Sequence, residues 1–124
     1  GIRDDLVTGV QTCALPIYIR FDLVPGQASA VIARIRGIDL CYDTAEGVLS
    51  FLDASARVDL RDEKVSLQVL VDRTSLELFA HGGAVSMSCC FLPEAAEHVL
   101  SFHARGGRAH LCGLKVHELR SAWR

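Results

Sequence analysis

The stretch from Val65 to Phe79 shows the clearest alternation of apolar and polar residues in the chain. In its first half every second residue is apolar: Val65, Leu67, Val69 and Val71. After the polar residues Asp72, Arg73 and Thr74, the alternation resumes with Leu76 and Leu78. A period of two is typical of a half-buried β-strand, and a short polar break between two such runs indicates a tight turn. The pattern therefore predicts a β-hairpin.

Further short apolar runs follow one another along the rest of the chain, at 18–23, 30–35, 38–42, 48–52, 84–92, 98–103 and 108–119. Glycine, proline or charged residues separate them, including the tetrapeptide Arg61–Lys64, which is a predicted solvated turn. In the last run, strict alternation places Leu111 and Gly113 on one face, with Cys112 and Leu114 on the other. Strands at intervals of about 8–12 residues, with no helical period, predict an all-β antiparallel sandwich or barrel.

Residues 1–17 stand apart from this pattern. The blocks Gly1–Asp4 and Val7–Ile17 resemble the constant parts of a translated sequencing adaptor, and Asp5-Leu6 stand where its variable index would be. The segment has early Asp residues and lacks the apolar run of a secretory leader. We therefore expect 1–17 to be an adaptor-derived artefact without a domain, 18–124 to be one domain, and the natural N-terminus to be missing.

Composition narrows the functional classes. The chain has 13 Lys and Arg against 15 Asp and Glu, a net charge of −2, which argues against a nucleic-acid surface. It has no apolar run of about 18 residues, so no membrane span is predicted. Outside 1–17, the cysteines are Cys41, Cys89, Cys90 and Cys112. Their spacing is not a zinc pattern, and we expect buried free thiols, which indicate no cellular compartment.

Three stretches carry a family resemblance. Gly37–Asp43 reads G-I-D-L-C-Y-D, Val71–Phe79 reads V-D-R-T-S-L-E-L-F, and Val116–Trp123 reads V-H-E-L-R-S-A-W. In this order and spacing, and with the turn at 105–107, they resemble the C-terminal β-sandwich module of family 32 glycoside hydrolases, which include levanases, inulinases and invertases. The resemblance covers nearly all of 18–124. It departs at His81, where the family usually has Asn in a turn.

The resemblance implies a two-sheet, jelly-roll or concanavalin-like sandwich, truncated at its N-terminus and packed beside a five-bladed β-propeller. The parent enzyme would hydrolyse β-fructosidic bonds in levan, inulin or sucrose with retention. Its two carboxyl groups, about 5 Å apart in a retaining enzyme, would lie in the propeller, in motifs resembling W-M-N-D-P-N-G, R-D-P and E-C. None of these motifs occurs in this chain.

No catalytic, cofactor or metal residue is predicted within the chain. Asp72 and Glu77 are a candidate carboxylate pair within the hairpin, but a turn residue and a polar strand residue explain them more simply. The signature residues are expected to be structural: Asp72, Arg73, Ser75, Glu77, Phe79 and Trp123. His110 and Cys112 share a strand face, and His103 could join them only if the two strands pair, whereas zinc needs three or four converging ligands.

The predicted role is that of a non-catalytic module whose partner is a preceding β-propeller catalytic domain, with a fructan oligosaccharide left open as a ligand. Such a module should show an exposed apolar patch where its partner lay. Two alternatives stay open. A free-standing carbohydrate-binding module would need exposed aromatic rings, and Tyr18, Tyr42 and Trp123 are the only Tyr and Trp residues. An immunoglobulin-like interaction domain would be expected to show a Cys…Trp…Cys spacing, which is absent.

Overall fold

A computed structural model describes residues 16–72, 74–90 and 100–118. The described part contains ten strands: β1 (Ile17–Val24), β2 (Ala30–Ile35), β3 (Ile38–Asp43), β4 (Val48–Phe51), β5 (Ala54–Arg57), β6 (Val65–Val71), β7 (Ser75–Ala80), β8 (Val85–Cys90), β9 (Leu100–Arg105) and β10 (His110–Glu118). A short 3₁₀ helix, His81–Gly83, follows β7. No helix in these ranges is long and apolar enough to cross a membrane.

The strands form two five-stranded antiparallel sheets. The first sheet has the order β10-β1-β6-β7-β8, and the second has the order β5-β4-β3-β2-β9. At one side of the molecule the edge strands β5 and β8 come close together. The predicted two-sheet β-sandwich is confirmed. Two five-stranded sheets in this order also differ from the seven- or nine-stranded arrangement of an immunoglobulin domain.

The core lies between the sheets and follows directly from the alternation in the sequence. In β1 and β6 every second side chain is buried, beginning with Ile17 and Val65, and the residues between them are only partly covered. Phe21 of the first sheet meets Phe102 of the second edge to face, with ring centroids 5.1 Å apart. Edge-to-face contact is a favoured geometry for aromatic pairs, so these rings help to fix how the two sheets pack.

The predicted central hairpin is present. β6 and β7 pair antiparallel, with Val71 opposite Leu76 and Val69 opposite Leu78. The backbone N–H of Asp72 donates a hydrogen bond of 2.8 Å to the carbonyl oxygen of Ser75, which closes the turn.

The boundary of the first strand differs from the expectation at one residue. Ile17 was assigned to the excluded segment, yet it begins β1, pairs with Val71 on one side and Glu118 on the other, and is fully buried. Ile17 is therefore part of the folded sandwich, whatever its origin. Residues 1–15 lie outside the described residues, and their adaptor origin stays a prediction.

A β-bulge in β10 overturns the strict alternation expected there. Arg20 pairs with Lys115 but Asp22 pairs with Cys112, so β10 has one extra residue between these pairs. Gly113 lies at the bulge with φ +62°, a conformation that glycine adopts at little cost. The extra residue moves Leu114 to the half-buried side with Leu111 and Val116, instead of the side with Cys112.

The connection between β5 and β6 is anchored by a buried tyrosine. The Tyr42 hydroxyl donates a hydrogen bond of 2.8 Å to the carbonyl oxygen of Val58, and both residues are buried. Burial raises the pKa of Tyr42, because the charged phenolate is disfavoured away from water. The N–H of Val58 donates separately to the Gly47 carbonyl oxygen at 2.8 Å. Val58 is thereby held at both its backbone groups.

Candidate functional site

The signature stretch on β7 divides between the core and the surface. Leu76 and Leu78 point between the sheets and are buried, whereas Ser75, Glu77 and Phe79 lie on the outer face of the first sheet. Of these three, Phe79 is half-buried and Glu77 is exposed. Asp72 is exposed at the turn before β7, while Arg73 and Trp123 lie outside the described residues. The roles assigned to these six residues stay predictions.

Polar and apolar neighbours surround Phe79 on this outer face. Gln68 of β6 and Ser86 of β8 are its cross-strand partners. One row along, Glu77 lies beside Leu70, and Leu70 lies beside Tyr18. A shallow cleft of about 180 Å³ runs beside Glu77 and Phe79 towards Ser86 and Ser88. We call Tyr18, Leu70 and Phe79 the apolar band, because neighbouring and diagonal strand positions bring such side chains within reach of one another.

A larger cleft of about 320 Å³ lies at the end of the same face. Its floor is formed by outward side chains of β1 and β6, and its walls are the turn at 61–64 and the start of the 3₁₀ helix. We call it the basic cleft, and the side chains that characterise it are Arg20, Arg61, Lys64, Ser66, Gln68 and His81. Sequence reasoning missed it because these residues come from three separate parts of the chain, around positions 20, 61–68 and 81.

Hydrogen bonds fix both walls of the basic cleft. The backbones of Arg61 and Lys64 bond to each other in both directions, at 2.8 and 3.1 Å, as in a two-residue hairpin. His81 Nε2 lies 2.8 Å from the Asp59 carbonyl oxygen. Because a carbonyl oxygen only accepts hydrogen bonds, Nε2 carries the hydrogen, and the other ring nitrogen is left for solvent or a ligand.

The histidines considered for a metal lie apart. His103 is on β9 in the second sheet, while His110 and Cys112 are on β10 in the first sheet, so the required pairing of the two strands does not occur. Within the described residues, no group of three or more His, Cys, Asp or Glu side chains could hold a metal ion.

The four described cysteines are free thiols, as expected, but the expectation that they are buried was wrong. Cys41 and Cys89 are half-buried, whereas Cys90 and Cys112 are exposed because they fall on outward positions of edge strands. Partial burial raises the pKa of the Cys41 thiol, with a smaller contribution from the charge of Asp43.

The outer face of the second sheet carries an ion pair between neighbouring strands. Arg34 of β2 and Asp39 of β3 are direct cross-strand partners, and two N–H groups of the arginine reach the two carboxylate oxygens at 2.7 and 3.1 Å. The hydrogen bond from Arg34 lowers the pKa of Asp39. Both side chains are at least half exposed, so solvent screens the pair and its contribution to stability is small.

The expected apolar patch does not take the form of large, fully exposed side chains. Among the described residues, Leu52 and Leu60 are the large apolar residues with high exposure, at 51% and 41%. They lie at opposite ends of β5 and cannot form one patch. Tyr42 is buried, and one face of the Tyr18 ring stacks on His117, with ring centroids 6.2 Å apart.

The family model described as "Glycosyl hydrolases family 32 C terminal" matches residues 41–118, more than half of the chain. The chain belongs to this family of C-terminal domains. This family 32 domain is also 30% identical, over 142 aligned positions, to a levanase of Bacillus sp. (strain L7). That alignment covers 98% of the chain but 15% of the levanase.

Two solved structures share the fold of the family 32 domain. Exo-inulinase from Aspergillus awamori superposes with a TM-score of 0.72 and 16% identity, over 98% of this chain and 29% of the inulinase. The galectin LEC-6 of Caenorhabditis elegans superposes with a TM-score of 0.65 and 14% identity, over 95% of this chain and all of the galectin. At these identities the likeness shows the fold alone. The chain spans less than a third of the levanase and the inulinase.

Proposed function

We propose that this domain is a non-catalytic module of a glycoside hydrolase acting on β-fructosides, and that it supports a catalytic β-propeller preceding it in the parent protein. The observation that carries the proposal is the outward position of Ser75, Glu77 and Phe79. From this stretch the core uses only Leu76 and Leu78. We infer that the outward residues of the signature contact another domain.

The apolar band is the part of this face that suits a neighbouring domain. A half-buried aromatic ring and a leucine on an outer sheet face lose unfavourable contact with water when another domain covers them. The lengths of the relatives indicate what would cover the apolar band. Most of the levanase and of the inulinase lies outside the part that this chain matches, so a further domain is available to pack there. The substrate class follows from what those two proteins are named for.

The proposal can be tested once the complete gene has been recovered. We would compare the full protein, the protein lacking 18–124 and the present chain for hydrolysis of levan, inulin and sucrose, and for thermal stability. We expect hydrolysis by the full protein, none by the chain alone, and a lower Tm without the domain. Hydrolysis by the chain alone, or an unchanged Tm without it, would contradict the proposal.

A pair of variants tests the contact face. Phe79→Ser should lower the free energy of unfolding of this domain by about 1 kcal/mol more in the full protein than in the isolated chain, if a contact of that size is lost. The matched control is Ile32→Ser, a half-buried apolar residue on the outer face of the second sheet. If Ile32→Ser shows the larger excess loss, the catalytic domain covers the second sheet instead.

A further inference from the structure

We propose that the basic cleft binds a small anionic sugar derivative, a ligand with one phosphate or carboxylate group and several hydroxyl groups. This inference is independent of the catalytic domain and of the fructosidase assignment. A volume of about 320 Å³ lies at the lower end of the range of about 300–1,000 Å³ for ligand sites, which suits a ligand of one sugar unit.

The charges around the cleft favour an anion. Arg20, Arg61 and Lys64 line it, and Asp62 is the one carboxylate in its lining. Within the described residues, neither arginine forms an ion pair, while Lys64 has a long contact of 3.8 Å with Asp22. The cleft is therefore positively charged although the whole chain carries a net charge of −2.

The register of the first sheet adds a second cation beside Arg20. Lys115 of β10 is its direct cross-strand partner, so the two cationic side chains lie on the same outer face. Like charges directly opposite one another destabilise a sheet, and an anion bound between them would relieve this repulsion. A guanidinium presents a planar set of N–H donors that matches the oxygens of phosphate and carboxylate groups.

Neutral polar groups next to the cations are placed to form hydrogen bonds with the hydroxyl groups of the ligand. Gln68 lies directly beside Arg20 across the β1–β6 pairing, and Ser66 lies one row further along the same face. An amide and a hydroxyl both donate and accept, as sugar hydroxyls require. The hydrogen bonds that fix the 61–64 turn and His81 hold the walls in place before any ligand binds, which reduces the entropy lost on binding.

The test is a titration of the chain, labelled with ¹⁵N, with four probes: glucose 6-phosphate, glucuronate, inorganic phosphate and neutral glucose. We expect saturable binding of at least one of the two anionic sugars with a Kd below about 1 mM. Backbone amide shifts should centre on Arg20, Gln68 and His81. Affinity should fall as NaCl rises from about 20 to about 200 mM, because salt screens the attraction. Glucose should produce no saturable shift.

Single substitutions show which side chains contribute to binding of the anionic sugar. Arg20→Gln and Arg61→Gln should each weaken binding about tenfold, a loss expected for a charge-assisted hydrogen bond. The matched control is Arg105→Gln, an exposed arginine on the edge strand β9 of the second sheet, which should leave the Kd unchanged. Retained peak dispersion in the spectra shows that each variant is folded.

Three outcomes would overturn the proposal. The first is no saturable binding of either anionic sugar at about 10 mM, far above the expected Kd. The second is binding that survives in the doubly substituted Arg20→Gln, Arg61→Gln chain. The third is inorganic phosphate binding as tightly as glucose 6-phosphate, which would overturn the role of Gln68 and Ser66 in holding hydroxyl groups.

Discussion

Replacing Tyr42 by phenylalanine isolates one buried hydrogen bond. The Tyr42 side chain is 2% exposed, and its hydroxyl reaches the Val58 carbonyl oxygen at 2.8 Å in a segment that belongs to neither sheet. Tyr42→Phe keeps the ring and its packing but leaves that buried carbonyl without this donor. Leaving a buried polar group unsatisfied costs about 1–3 kcal/mol, so we expect the free energy of unfolding to fall by about 2 kcal/mol.

The assay is equilibrium unfolding in urea, with an unchanged slope of free energy against denaturant. For a slope of about 1–1.5 kcal/mol/M, the midpoint should fall by about 1.3–2 M. The matched control is Tyr18→Phe, whose ring stacks on His117 at the surface and whose hydroxyl forms no hydrogen bond among the described residues. It should change stability by less than about 0.5 kcal/mol. Equal losses for the two variants would show that the bond from the Tyr42 hydroxyl to the Val58 carbonyl oxygen does not stabilise the fold.

The dependence of stability on alkaline pH is a second test of the burial of Tyr42. Burial raises the pKa of Tyr42 in the folded state, so the folded chain holds the phenolic proton more tightly than the unfolded chain does. The stability from this proton linkage is fully present below the unfolded pKa, about 10, and is lost as pH rises from there through the folded value. We expect a steeper alkaline loss of stability in the parent chain than in Tyr42→Phe. Parallel pH profiles would contradict this.

Three further changes give sharp expectations for stability. Deleting residues 1–15 should leave the free energy of unfolding unchanged, whereas Ile17→Ala should lower it by about 2–4 kcal/mol because Ile17 is fully buried. Equal effects of the two changes would contradict the start assigned to β1. Gly107→Ala should lower the free energy of unfolding by about 3 kcal/mol or more, since a Cβ there would lie 2.6 Å from the Gln27 carbonyl oxygen. Gly82→Ala places its Cβ where no atom lies within 4 Å, so it should lower that free energy by only about 1–2 kcal/mol. A double-mutant cycle on Arg34 and Asp39 should give a small favourable coupling, because solvent screens the pair. The coupling should be present above the unfolded pKa of Asp39 and lost as pH falls through its lowered folded value, and a coupling that does not change with acid would exclude the ion pair as its source.

The parts of the fold that follow from sequence are those in which each strand buries one face. β1, β3, β6 and β7 alternate cleanly because their inward side chains fill the space between the sheets. β5 was missed, since its sequence Ala-Ser-Ala-Arg lacks large apolar residues, and its strand form depends on pairing with β4 at the edge of the sheet. The bulge in β10 was also missed, because alternation cannot show where one strand has an extra residue opposite its partner.

The candidate site was less predictable than the fold. The outward position of Ser75, Glu77 and Phe79 follows from period-two reasoning on β7. The basic cleft does not, because Arg20, the 61–64 turn and His81 come together only through the order of the strands in the first sheet. Strand order depends on long-range pairing, which hydrophobic periodicity does not encode.

The proposal with the widest consequences is that this sandwich is the C-terminal module of a larger β-fructosidase. Its most direct test is to read the source DNA upstream of the codon for Tyr18 across one continuous molecule. We expect an open frame that continues upstream through a whole catalytic domain containing motifs resembling W-M-N-D-P-N-G, R-D-P and E-C. An in-frame stop codon shortly upstream of Tyr18, with no such domain, would contradict it.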